Sequence, residues 1–234
     1  MSEFGFESER VDRVTAALAV GEHDPSSSVC AAGAAVVGVR RAGVALMAAG
    51  HTLGMVCVSD DVTAALEDVQ YSLGEGPCVD AYHARAPVLA GDLADTERDD
   101  WPAFCESALR VGVRAAFGFP LMVRGICIGA LNLYHDYPVT LTGEQLADAA
   151  AVSHVAARTV LRWQSFAAPG SVAWQLEGVP AHRAVVHQAT GMISVQADVS
   201  IDDSLAMLQA YAFAHDRAIA AVAEAVIRRT LRFD

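Results

Sequence analysis

The chain has 234 residues, of which 53% are hydrophobic and 19% charged. That is enough apolar material to bury a core in one large domain or two small ones, and it excludes a disordered polyelectrolyte. All 16 basic residues are Arg, against 28 acids, for a formal net charge of −12. Bulk charge therefore does not draw this chain to nucleic acid, and any such contact has to be local.

In chain order, Phe4 to Val20 reads as a helix with Phe4, Val11, Val14 and Leu18 on one apolar stripe. Gly21 to Ser28 is a break, and Val29 to Val39 a second helix rich in Ala and Val. Val44 to Ala48 and Met55 to Ser59 form a hairpin around Gly50-His51. Asp60 to Tyr71 returns to helical spacing through Val62, Leu66 and Val69, with Asp60 or Asp61 as its N-cap. Gly74-Glu75-Gly76-Pro77 is a loop by composition. Cys78 to Arg85 is a short helix, Val88 to Ala90 a strand, and Asp92 to Asp100 an acidic connection. Trp101 to Leu109 is a helix with Pro102 in its first turn.

Arg114 to Met122 and Ile126 to Tyr134 form a second hairpin through Arg124-Gly125. Thr142 and Gln145 have the capping-box spacing that opens a long helix, running through Trp163. Ala167 to Pro180 reads as an interdomain linker. Beyond it come three helices, His182 to Val195, Ile201 to His215 and Ala218 to Arg232. Ser200 caps the middle one, with Asp202 and Asp203 near the positive end of its dipole. The least charged window, Ala42 to Ser59, is broken by Gly43, Gly50, His51, Thr52 and Gly54, which argues against a membrane span. The start of the chain is acidic (Glu3, Glu7, Glu9, Asp12) and lacks the pattern of a secretory leader.

This order implies an α+β domain with an antiparallel sheet flanked by helices, followed by a small all-α domain. Within the first, Leu73-Gly74-Glu75-Gly76-Pro77-Cys78-Val79-Asp80-Ala81 resembles the signature of GAF sensor domains of actinobacterial regulators. Gly112-Val113-Arg114-Ala115-Ala116 with Phe119-Pro120-Leu121, and Ile128-Gly129-Ala130-Leu131-Asn132-Leu133-Tyr134, resemble the next two motifs. They follow in family order over roughly residues 26 to 163. The stretch Gln188-Ala189-Thr190-Gly191-Met192-Ile193, then Ser200 to Leu208 and Ala221-Val222-Ala223-Glu224, resembles the ANTAR domain, a three-helix RNA-binding module of transcription antiterminators. The resulting division is an N-terminal helix over 1–25, a GAF-like domain over 26–166, a linker over 167–180 and an ANTAR-like domain over 181–234.

The resemblance implies a cytoplasmic regulator. Its GAF domain senses a small molecule, redox state or partner, and its tail binds a structured RNA leader to promote antitermination. Neither the GAF ligand nor any cofactor is identified by it. Glu75, Gly76, Pro77 and Cys78 are the ligand-contact candidates, with a structural turn as the alternative. Arg183, His187, Thr190, Gly191, Arg217 and Arg228 are the RNA candidates, expected to be exposed. Ala189 and Gly191 also permit close helix packing.

The tail departs from the ANTAR pattern where basic residues are common: Thr190 stands at a position that is often Lys, and the turn before the third helix reads Ala214-His215-Asp216-Arg217. From Gly170 onward five Arg face seven acids. A single tail therefore offers few cations for phosphates, and a homodimer through the flanking helices, driven by the Ala-rich stripe on Thr142 to Phe166, is expected to pair two of them.

The five cysteines, at 30, 57, 78, 105 and 127, are at least 21 residues apart. That spacing gives no zinc ribbon and suggests free thiols in a reducing compartment. Cys57 and Cys127 fall in strands and read as core. Cys78, at a helix start, can be a redox sensor or nucleophile, or a small buried hydrophobe. The eight His include no HxH or HExxH set, so no metal site is expected. No GxSxG, Walker or dinucleotide motif is present, and no catalytic residue is assigned. The enzymatic alternative is a thiol enzyme similar to free methionine-sulfoxide reductases, using Cys78, Cys105 and Cys127. A DNA-binding helix-turn-helix is a third reading, disfavoured by the scarcity of Arg on any one tail helix.

Overall fold

Two hairpins and one short strand build the sheet. The computed structural model describes residues 3–19, 25–48, 51–95, 100–166, 181–215 and 217–233. Strands β1 (Arg41–Ala48) and β2 (His51–Val58) form the first hairpin, β4 (Ala115–Val123) and β5 (Ile126–His135) the second. With β3 (Val88–Ala90) they make a five-stranded sheet of order β2-β1-β5-β4-β3, every neighbouring pair antiparallel. The expected antiparallel sheet is thus observed.

One face of the sheet is covered by α2 (Pro25–Val37) and α6 (Gly143–Phe166), with α1 (Glu3–Ala19) packed on these two helices. Their core includes Val14, Leu18, Val37, Phe117, Phe119, Leu131, Val152 and Val155. The helix α2 starts at Pro25, four residues earlier than the composition indicated, because Pro at a first helical position loses no hydrogen bond. The capping box at α6 forms in both directions: Gln145 N donates to Thr142 Oγ1 at 3.2 Å, and Thr142 N donates to Gln145 Oε1 at 3.0 Å. The Ala-rich stripe of α6 (Ala149, Val152, Ala156, Ala157, Val160) is buried within the chain. It is not left open for a second copy, which removes the packing argument for a dimer there.

The other face carries α3 (Asp61–Leu73) and α4 (Pro77–Ala84), with α5 (Pro102–Arg110) packed on α3. Asp60 caps α3 by accepting the Thr63 N–H at 2.8 Å. The buried residues of α3 are Thr63, Leu66, Glu67, Gln70 and Tyr71. The expected stripe Val62, Leu66, Val69 is displaced by about one residue, and the helix turns polar groups inward.

Cys30 of α2 and Cys57 of β2 are joined in a disulfide, with Cα atoms 5.9 Å apart. The expectation of five free thiols fails for this pair. Their separation of 27 residues hid a contact that the packing of α2 on the first hairpin creates.

The tail forms α7 (Ala181–Ala197), α8 (Ile201–Ala214) and α9 (Ile219–Ile227) around Val186, Ala189, Ile193, Leu205, Leu208, Val222 and Val226. Ser200 caps α8 through Asp203 N at 3.0 Å. The last helix stops short of Arg232. Arg229 takes a left-handed φ of 60°, and the Thr230 and Arg229 N–H groups return to the Ala225 and Val226 carbonyls, a Schellman ending. The proposed linker lies outside the described residues. No helix of the described residues is long and apolar enough to cross a membrane.

Candidate functional site

The inward face of α3 meets a trough in the sheet. Gly43 of β1 and Gly118 of β4 are both in register with Asn132 of β5. A Cβ on Gly43 would lie 2.7 Å from Glu67 Oε1, and one on Gly118 2.2 Å from the Pro77 carbonyl oxygen. These two glycines let α3 and α4 settle onto the sheet on either side of Asn132.

Glu67, only 2% exposed, fills the trough. Asn132 Nδ2 donates to both its oxygens, at 2.8 and 2.9 Å, and the Tyr134 hydroxyl donates to Oε1 at 2.9 Å. Gln70 Nε2 donates to the same hydroxyl at 2.9 Å, while Gln70 Oε1 accepts the Cys78 N–H at 2.8 Å. Burial, and then the Glu67 charge, push the Tyr134 hydroxyl well above its ordinary range, which keeps it a donor. Among the described residues Asn132 Oδ1 is buried without a hydrogen-bond partner, a state that costs about 1–3 kcal/mol.

Composition analysis missed this network. The signals were present: an Asn inside the apolar run of β5, and a Glu and a Gln three apart on α3.

The Gly-Glu-Gly-Pro-Cys loop joins α3 to α4 and holds three helices together. Gly74 closes α3 with φ 68° and donates to Gln70 O. Gly76, at φ 129°, has no room for a Cβ, which would stand 2.4 Å from Gln70 Oε1. Glu75 Oε1 accepts the Phe104 N–H at 2.8 Å and so caps the first turn of α5. Pro77 is the first residue of α4 and Cys78, 1% exposed, the second. The expected alternative, a turn that caps the following helix, is met only in part: α4 has Gly76 at its N-cap position without a side-chain cap, and the Glu75 carboxylate caps α5 instead.

The cysteines do not converge on a common site in the described contacts. Cys78 Sγ lies 3.6 Å from Met47 Sδ, Cys105 Sγ 3.6 Å from the Asp100 carbonyl and Cys127 Sγ 3.3 Å from the Gly129 carbonyl. Burial raises the Cys127 thiol above its ordinary value, the reverse of what a nucleophile needs. Among the described residues no group of three or more His, Cys, Asp or Glu could hold a metal ion.

The tail candidates are scattered. His187, Arg217 and Arg228 are exposed. Arg228 is engaged by Glu224 one turn earlier. The side chain of Arg183 lies outside the described residues. Thr190 is not exposed: it is 2% accessible, and its hydroxyl donates to Val186 O at 2.8 Å. It is a packing residue of α7, and its polar atom is spent on its own helix. Gly191 is not at a tight crossing either, since a Cβ there would meet nothing within 4 Å. Ala189, fully buried, makes the close approach instead.

The two domains touch through α3. The Tyr71 ring is part of the tail's apolar cluster. His187 stands edge-on to it, ring centroids 6.3 Å apart, and Gln209 Nε2 donates to the Tyr71 carbonyl at 2.9 Å. Gln209 also lies against Gly74, 3.0 Å from where a Cβ would sit. The Gly-Glu-Gly-Pro-Cys loop is therefore a domain contact as well as a turn.

The GAF domain model matches residues 23–160, and the chain belongs to that family. The ANTAR domain model matches residues 174–227, so the GAF domain is followed by an ANTAR domain. This pairing is that of a signal-responsive regulator with an RNA-binding output module.

Among solved structures, the GAF domain of an Acinetobacter phosphoenolpyruvate-protein phosphotransferase aligns with TM-score 0.51 at 13% identity, over 72% of this chain and 99% of that one. The GAF domain of a phosphoenolpyruvate-protein phosphotransferase from Coxiella burnetii gives TM-score 0.50 at 11% identity, over 70% and 98%. Both likenesses concern the fold alone. No curated protein matches.

Proposed function

We propose that this chain is a cytoplasmic transcription antiterminator whose GAF domain governs the access of RNA to the ANTAR tail. The observation that carries the reading is the α3 contact: Tyr71 is seated in the tail's core, and His187, an RNA candidate, is held against it. A signal that shifts α3 changes both the tail's packing and what His187 can reach. Glu67 and Gln70 lie one turn and one residue before Tyr71, so a ligand competing for the inner polar network acts on the same rigid helix.

The RNA partner is a structured leader with unpaired loop bases. The tail's cations are few and Arg228 is engaged, so affinity rests on base stacking and shape more than on phosphate charge. Two tails in a homodimer raise avidity without new contacts. The exposed outer side of α6, with His154, Arg158, Leu161 and Arg162, offers one surface for pairing.

The test is crosslinking of the full-length protein to RNA in its native cells, followed by transcription of the recovered leaders in vitro. Enrichment of terminator-proximal hairpins and increased readthrough support the reading. Recovery at background level, or readthrough unchanged by the protein, overturns it.

A further inference from the structure

Between the GAF and ANTAR domains lies a cleft of about 1000 Å³. Leu73 and Glu75 of the α3–α4 turn, α5 from the GAF side and α8–α9 from the tail all line it. We propose that this cleft is a binding site for a small organic anion with an apolar body.

Size and position come first. Ligand clefts commonly measure about 300–1,000 Å³ and occur at domain boundaries. The lining is largely apolar: Leu73, Ala206, Phe213 and Ile219 present hydrocarbon to it. Phe213 is 71% exposed, a large aromatic side chain that an apolar ligand in the cleft can cover.

Charge decides the sign of the ligand. Each domain contributes one arginine to the lining, Arg110 at the end of α5 and Arg217 in the turn before α9. Arg110 is paired with Glu106 at 2.9 Å, but with the two side chains 67% and 75% exposed. Such a pair contributes little and yields readily to a better acceptor. Arg217 reaches the Ala221 carbonyl at 3.3 Å. Among the described residues the acid in the lining is Glu75, and its Oε1 already accepts the Phe104 N–H. In a chain of net charge −12, two arginines in the lining of a largely apolar cleft favour a carboxylate, sulfonate or phosphate through charge-assisted hydrogen bonds. Because the arginines belong to different domains, an occupant joins the domains and stabilises their docked arrangement by mass action. The site is distinct from the Glu67 network inside the GAF domain, and the inference holds whether or not the tail binds RNA.

The test uses the full-length chain and two fluorescent probes that share an apolar body: anilinonaphthalene sulfonate and uncharged phenylnaphthylamine. One saturable sulfonate site per chain is expected, with the neutral probe at least about tenfold weaker. Arg110→Gln and Arg217→Gln each weaken the sulfonate by about three- to tenfold and leave the neutral probe unchanged. Ala206→Trp fills the cleft and removes binding of both probes. Ala210→Phe, on the same wall, serves as a second filling variant should the first not fold.

Absence of saturable binding overturns the proposal. So do equal affinities for the two probes, or sulfonate binding that persists in a folded filling variant. Loss of RNA binding is read in the transcription assay and is a separate failure.

Discussion

His135 closes β5, and its Nδ1 accepts the Asp136 N–H at 2.9 Å. Burial lowers its pKa below the ordinary 6.5; the nearby Asp136 opposes this and Arg41 and Arg40 add to it. The unfolded chain therefore takes up this proton more readily than the native one, so stability falls as pH drops below 6.5 toward the folded value. Denaturant midpoints measured between about pH 7.5 and 5.5 should show this loss, and His135→Gln should flatten it.

Thr190 gives a second test at a single side chain. Restoring the family's Lys there forces an ammonium into a 2% exposed position. Thr190→Lys is expected to destabilise the tail by more than about 2 kcal/mol rather than add an RNA contact. Unchanged thermal stability together with tighter RNA binding would contradict this.

At the scale of elements, hairpins, caps and the long α6 were legible because each rests on local rules: alternation, a capping box, Pro at a first turn. Helix α3 was legible as a helix but not in its orientation, since hydrophobicity selects Val62, Leu66 and Val69 while the polar trough selects Glu67 and Gln70. Glycines were legible as residues but not as roles. Gly129→Ala places a methyl 2.0 Å from the Ala45 carbonyl oxygen and should cost about 1–3 kcal/mol as strands shift. Gly191→Ala meets open space and should stabilise α7 by about 0.8–1 kcal/mol. Melting temperatures of the two variants should move in opposite directions.

For the whole molecule, covalent linkage and domain contact were the features that sequence separation concealed. Cys30 and Cys57 give no spacing cue, yet their disulfide ties α2 to the first hairpin. Thiol titration of the denatured, unreduced chain should find three free groups, Cys78, Cys105 and Cys127. Five would mean that the disulfide does not form. The sequence places the GAF–ANTAR linker at residues 167–180, which lie outside the described residues; the GAF match ends at residue 160 and the ANTAR match begins at 174, within that stretch. The site candidates were legible only in part. The loop from Gly74 to Cys78 is legible as a motif, but its contacts with Gln209 and Phe104 depend on partners 29 or more residues away.

Tyr71 is a residue of one domain and a core side chain of the other. Removing it should leave a hole in the tail, at a cost of about 3–5 kcal/mol for a large buried ring. Hydrogen exchange in full-length Tyr71→Ala should therefore quicken along α7, α8 and α9, not in α3 alone; an effect confined to α3 would contradict the shared core. The same ring bears on how the protein can be divided in the laboratory. A tail expressed from residue 181 onward lacks the plug of its own core, and a GAF domain ending at residue 166 carries that plug bare to solvent. Binding measured on either half therefore reports on a surface that the intact chain does not present.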